Sequence, residues 1–285
     1  MTKKTVLPAY DFLKKLDSSV SFEYTLLEKA YNSYDARDAH RHNYFEILAF
    51  NDGGGHHEID FISYEVERNS IHFIAPGQVH RLKRHPSVNG HVLAFTEEAI
   101  ASGSISQIHD LLFSDPESGP VMKLDEQNFQ TIEQIIHSLQ KECAGDNPFR
   151  REAINTRLSL LFIELLRLRD MRVEAKETNS GKALYNRFRK LVEERFLKHP
   201  PVASYARELN ISSGHLNDTI KKICGKSVRE VIQQRMILEA RRMLYHSSHS
   251  VKEIAFMLHY DDPSYFIRFF RQHSGETPQE FRDRQ

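Results

Sequence analysis

The stretch Val251-Lys252-Glu253-Ile254-Ala255-Phe256-Met257-Leu258-His259-Tyr260-Asp261-Asp262-Pro263-Ser264-Tyr265-Phe266-Ile267-Arg268-Phe269-Phe270-Arg271 decides how the second half of this chain folds. Val251, Ile254, Ala255 and Leu258 fall at i, i+3, i+4 and i+7, the spacing of one face of a short amphipathic helix. Turn-forming residues follow from His259 to Ser264, then Phe266 and Phe270 anchor a second helix that ends at Gly275. The same pattern stands 49 to 50 residues earlier, with Val202, Tyr205, Ala206 and Leu209, then a turn, then Leu216 and Ile220, then Gly225. Two short helices around a tight turn are the helix-turn-helix arrangement, whose second helix lies in the major groove of DNA. Residues 227–246 join the copies with no Gly or Pro and are expected to form one long helix. Such a spacer holds two recognition helices roughly 34 Å, one DNA turn, apart.

Working outward, the charge supports this division. The 285 residues hold 39 Lys+Arg and 39 Asp+Glu, a formal net charge of zero. Residues 181–285 alone hold 19 basic and 12 acidic residues, a surplus of +7, so the remainder carries −7. Lys221, Lys222, Lys226, Arg229, Arg241, Arg242, Arg268 and Arg271 are expected to neutralise phosphates, the contribution that supplies most affinity for DNA. The polar stretch 176–182 reads as the linker. No apolar run of about 18 residues and no basic-then-apolar leader is found, so neither a transmembrane helix nor a signal peptide is expected. Two cysteines are too few for a disulfide framework, and a reducing, cytoplasmic location is expected.

The acidic part has a different texture. Short β-rich pieces at 22–27, 44–50, 56–62, 70–74 and 91–95 are separated by Asn-Asp-Gly-Gly-Gly at 51–55, Pro76-Gly77 and Pro86, the rhythm of a sandwich or small barrel. Eight of the 16 histidines fall between His40 and His91. On a strand, His40, His42, Tyr44 and Glu46 project to one face. His56, His57, His72, His85 and His91 are each expected to be surface or strand residues rather than ligands. Two amphipathic stripes follow, Phe129, Ile132, Ile135, Ile136 and Leu139, then Ile154, Leu158, Leu161, Phe162, Leu165 and Leu168.

The segments Gln233-Gln234-Arg235-Met236-Ile237-Leu238-Glu239-Ala240-Arg241-Arg242-Met243-Leu244, Val251-Lys252-Glu253-Ile254-Ala255, Tyr265 to Arg271 and Gly275-Glu276-Thr277-Pro278-Gln279-Glu280-Phe281-Arg282 together resemble the AraC family of bacterial transcription regulators. His40-Arg41-His42-Asn43-Tyr44-Phe45-Glu46 and Pro76-Gly77-Gln78-Val79-His80 resemble the two cupin motifs, and AraC-family chains commonly carry a cupin-like effector domain. The resemblance implies a multidomain chain: an all-β cupin-like barrel at 1–105, linker and dimerisation helices at 106–175, and an all-α, seven-helix double helix-turn-helix domain at 182–285.

It implies base reading from Gly214, Asn217 and Asp218 in the first recognition helix, and from Pro263, Ser264, Ile267 and Arg268 in the second. Arg268 suits a guanine edge, Asn217 an adenine, and Ser264 several bases. Ser213, His215, Lys221, Lys222, Tyr265 and Arg271 complete the expected DNA-contacting set. His259 stands where the family turn usually has glycine. In the barrel, His40, Arg41, His42, Tyr44, Glu46, Phe73, His80 and Phe95 are the expected effector contacts; if the effector is anionic, Arg41 and the histidines can pair with it. No cofactor is assigned. A divalent metal at His40, His42, Glu46 and His80 is the alternative use of those residues, and a purely structural one is the third. Promoter DNA, a small-molecule effector, RNA polymerase and a second copy of the chain, paired through 154–168, are the expected partners. The function expected is effector-dependent transcription activation without enzymatic activity; the rival is a metal-dependent cupin dioxygenase or isomerase with a helical appendage.

Overall fold

A computed structural model describes residues 9–10, 21–28, 39–99, 112–113, 119–170 and 180–284. Of the expected linker at 176–182, residues 176–179 lie outside them, as does the boundary near 105; residues 180–182 are not linker but the first turn of a helix. The chain divides into two compact units at Ala175/Lys176. No described helix is long and apolar enough to cross a membrane.

In the first unit the strands are β1 (Ala9–Tyr10), β2 (Phe22–Leu26), β3 (Arg41–His42), β4 (Phe45–Phe50), β5 (Gly55–Ile59), β6 (Ile62–Glu65), β7 (Ser70–Ile74), β8 (His80–Arg84), β9 (Gly90–Phe95) and β10 (Val121–Lys123). They form a five-stranded sheet, β10-β7-β4-β9-β2, a three-stranded sheet, β6-β5-β8, and the small pair β1-β3. The expected single piece at 56–62 is instead a strand and a turn. Asp60 and Phe61 both take positive φ, 46° and 74°, and reverse the chain into β6 through a two-residue loop. The glycine-rich run ends at Gly55, φ 107°, where an added Cβ would lie 2.1 Å from the Lys83 carbonyl oxygen, so only glycine lets β5 and β8 pair there.

Central strand β4 is buried on both faces. Leu48 and Phe50 point into an apolar interior with Ile59, Ile74, Leu82 and Val92, whereas Ile47 and Ala49 point outward. The outward face is covered by α1 (Glu126–Ala144) and α2 (Arg150–Asp170). The α1 stripe buries Phe129, Ile132, Ile136 and Leu139 there, and the α2 stripe buries Ile154, Leu158, Leu161, Phe162 and Leu165. Packing within the chain thus takes up the apolar face of the expected dimer segment 154–168. Those five α2 residues are 0% exposed within a single chain and have no face left for a partner; Leu160, 45% exposed, lies on the opposite side.

The second unit contains α3 (Ser180–Arg195), α4 (Val202–Glu208), α5 (Ser213–Cys224), α6 (Val228–His246), α7 (Val251–Met257), α8 (Pro263–Ser274) and α9 (Pro278–Asp283). The repeat extends further than the apolar spacing alone indicates. Asn210 and His259 both adopt left-handed φ, 56° and 60°. In each turn the next amide returns to the first helix, Ile211 N to Ala206 O at 3.0 Å and Tyr260 N to Ala255 O at 2.9 Å. His259 therefore makes the turn that asparagine makes in the first copy, without glycine. Gly225 and Gly275 close α5 and α8 with φ of 72° and 84°. Capping boxes Ser227/Glu230 and Thr277/Glu280 then start α6 and α9. Ala206 and Ala255, both buried, let each bracing helix approach its recognition helix, and Leu216, Ile220, Phe266 and Phe270 fill the shared core at 0% exposure.

Candidate DNA-reading surface and effector site

Recognition helix α8 has one apolar and one open face. Phe266 and Phe270 face inward; Ser264, Arg268 and Arg271, spaced by four and three residues, form an exposed stripe. Tyr265 and Ile267 flank it at 56% and 36% exposure, able to make apolar contact such as that offered by a thymine methyl group. The Asp262 side chain accepts from Ser264 N at 2.8 Å and caps the helix. That hydrogen bond holds its carboxyl below the usual range, so a fixed negative charge occupies the α8 N-terminus. Asp262 was not among the expected residues; its position just before Pro263 is an N-cap signal legible in the sequence.

On α5, Ser213, His215, Asp218, Lys221 and Lys222 are exposed. Here the cap is the neutral Ser212 hydroxyl, which accepts from His215 N at 3.1 Å and leaves this N-terminus open to a phosphate. The adenine contact expected of Asn217 competes with a bond inside the protein: its Oδ1 accepts from Val228 N at 3.3 Å, tying α5 to the start of α6. Arg242 is a correction. It is 3% exposed, with Nη1 3.4 Å from Glu239 Oε2, and cannot reach a phosphate.

In the first unit, β3, β4 and β8 bring His40, His42, Tyr44, Glu46 and His80 together, all buried. The backbones of His40 and His80 exchange hydrogen bonds of 3.0 and 2.9 Å. Arg41 alternates with His40 and His42 and is half-exposed, so it leaves the cluster. Phe73 and Phe95 are corrected outright. Each lies on the helix-facing side of its sheet: Phe95 packs on Phe162 and Phe45 at 5.4 and 5.5 Å, and the Arg169 guanidinium sits 5.2 Å over Phe73. The interior positions of β7 belong instead to His72 and Ile74. His57 and His72, read from the sequence as unremarkable strand residues, are both 0% exposed and part of the cluster.

These histidines form a chain whose proton positions follow from its ends. Ser70 Oγ donates to Glu67 O at 2.7 Å, so it accepts from His72 Nε2 at 3.4 Å. His72 Nδ1 is then an acceptor for His57 Nδ1–H at 3.0 Å, and His57 Nε2 for His80 Nδ1–H at 3.1 Å. His80 Nε2 is left as a bare lone pair, 3.9 Å from Glu46 Oε2. On the other side His42 Nδ1–H donates to Tyr44 O at 2.7 Å, and its Nε2 lies 3.8 Å from the same oxygen. Neither Nε2 has a hydrogen-bond partner. Burial pushes His57 and His80 well below the usual imidazole range and His72 down to about 4, which keeps the chain neutral at pH 7. Two ring nitrogens and a carboxyl oxygen therefore converge on one point. The donor set fits a divalent transition metal held by His42, Glu46 and His80, and it equally fits a ligand that donates hydrogen bonds.

Comparison with known proteins favours the regulator. A model of the AraC-like ligand binding domain matches residues 24–162, and a model of the helix-turn-helix domain matches 205–284. The chain belongs to the AraC family of transcription regulators. HTH-type transcriptional activator RhaS of Klebsiella pneumoniae (strain 342) is 24% identical over 280 residues, covering 98% of this chain and 97% of that one. RhaS of Escherichia fergusonii is also 24% identical, with the same coverages. Among solved structures, ToxT from Vibrio cholerae O395 aligns with 92% of this chain and 96% of its own at 13% identity and a TM-score of 0.43. This AraC-family chain is accordingly a sequence-specific DNA-binding transcription regulator with a ligand-binding domain, and its relatives are transcription regulators.

Proposed function

We propose that this AraC-family regulator is a cytoplasmic, homodimeric transcription activator that reads promoter DNA with α5 and α8 and engages RNA polymerase. The observation that carries the reading is the exposed stripe of Ser264, Arg268 and Arg271 on α8, matched 50 residues earlier by the exposed face of α5. Spacer helix α6 has 19 residues, about 28 Å at 1.5 Å per residue, a length compatible with two adjacent major grooves. Arg268 and Ser264 make the base contacts. Ser213, His215, Lys221, Lys222 and Arg271 hold the backbone, and Asp218 is restricted to accepting, as from a cytosine amino group. Residues 182–285 are the DNA-binding domain and 1–105 the effector domain, with a dimer surface on α2 away from its buried stripe.

The effector site is centred on His42, Glu46 and His80, with His40 and Tyr44 beside them. The two converging ring nitrogens and the carboxyl oxygen do not suit an anionic ligand, one of the possibilities the sequence leaves open. They favour one that brings hydroxyl or amino donors, or a divalent cation. Selection of bound duplexes from a random pool tests the DNA half of this reading. The recovered sites are expected to show two blocks of preferred sequence about 10 base pairs apart per protein chain; a single block would reject two-groove reading.

A further inference from the structure

On the outer side of the five-stranded sheet, away from the interior cluster, three further metal-binding side chains meet. His91 projects from β9; Glu133 and His137, at i and i+4, lie on one face of α1. His91 Nε2 is 3.6 Å from Glu133 Oε1, the imidazoles of His91 and His137 stand edge to face at 5.2 Å, and the nearest donor atoms of all three residues lie within 4.8 Å of one another. We propose that His91, Glu133 and His137 form a divalent transition-metal site that clamps α1 to the sheet.

The surroundings are those of a prepared site. His91 Nδ1 is 2.9 Å from the Tyr24 hydroxyl, a partner that orients the ring and leaves Nε2 aimed at the gap. Asn51 Nδ2 donates to Glu133 Oε1, which fixes that carboxylate. His91 is buried, Glu133 half-buried and His137 exposed, so an ion enters from solvent past His137 and keeps open positions for water. Two imidazoles and one carboxylate suit zinc, cobalt or nickel rather than calcium or magnesium.

The test uses the full chain, purified metal-free and titrated with Co²⁺, following the visible absorption and the number of ions bound. His137→Ala removes an exposed ligand and Glu133→Gln keeps the side-chain shape, so both variants are expected to melt as the wild type does without metal. Each should lose one equivalent of tightly bound Co²⁺, or bind it at least about 10-fold more weakly. Because His42, Glu46 and His80 are intact in both variants, any ion held in the interior is unaffected. Wild-type stoichiometry and affinity in both variants, or no Co²⁺ bound by the wild type, would overturn the proposal.

Discussion

Replacing Phe266 with alanine is expected to destabilise the C-terminal unit by about 3–5 kcal/mol, the cost of removing a large aromatic side chain from a closed core. Phe266 is 0% exposed and packs 5.4 Å from Tyr260 and 6.0 Å from Phe270, ring to ring. It is the anchor that sets α8 against its bracing helix, so the cavity opens beneath the DNA-reading stripe. Domains of this size are typically stable by about 5–15 kcal/mol. The loss is therefore a large share of the total, and at roughly 4–8 °C per kcal/mol it should lower the melting temperature by well over 10 °C. Calorimetry of the full chain is the measurement. One transition should fall and that of the 8–175 unit should stay in place, since the two cores share no residue. Leu216→Ala, at the repeat-related position, should act in the same direction by about 2–5 kcal/mol. An unchanged melting profile for Phe266→Ala would mean that this core does not support α8.

Acidification should act on the other unit. His72 is held near 4 and His57 and His80 are also lowered, all by burial. Unfolded histidines take up protons below about 6.5. The folded interior refuses them, so below that pH the unfolded chain binds more protons and stability falls. The contribution is complete above about pH 6.5 and is lost as the pH drops toward 4. At about 1.4 kcal/mol per pH unit, His72 alone accounts for on the order of 3 kcal/mol. Thermal melts at pH 7.5 and 5.0 should show the N-terminal transition falling by many degrees. The C-terminal unit has no comparable buried histidine among the described residues and should move much less. A pH-independent N-terminal transition would place those imidazoles in contact with water.

How much of this was legible depends on whether the signal was local. The helix-turn-helix copies were readable because each element sits beside its own turn: the i, i+3, i+4, i+7 spacing, the closing glycines and the caps all lie within a few residues. The cupin-like motifs were readable for the same reason, and they bring His42, Glu46 and His80 to one point. His57 and His72 gave no such signal. They meet because β5 and β7 face each other across the interior, and register between distant strands is not written in either strand alone. Strand β8, His-Arg-Leu-Lys-Arg, carries one apolar residue and so gives no strand signal in the sequence, although His80 and Leu82 alternate inward while Arg81 pairs with Glu58 on the outside at 2.6 Å. Phe73, Phe95 and the α2 stripe show a different limit. Alternation divides a strand into two faces but does not say which faces the interior when both are apolar, and an amphipathic stripe does not name what covers it. Asn217 shows the same limit at one side chain, since its bond to Val228 depends on where α6 begins.

The central claim is that base-specific reading runs through two tandem recognition helices, with Arg268 the strongest reader in the second. Duplex selection repeated with Arg268→Ala tests it most directly. The account predicts that one of the two preferred blocks loses its preference, most of all at a guanine, while the other persists, with binding to the wild-type site weakened about 10- to 100-fold, the equivalent of about 1–3 kcal/mol. Recovery of both blocks with undiminished preference and affinity would contradict it.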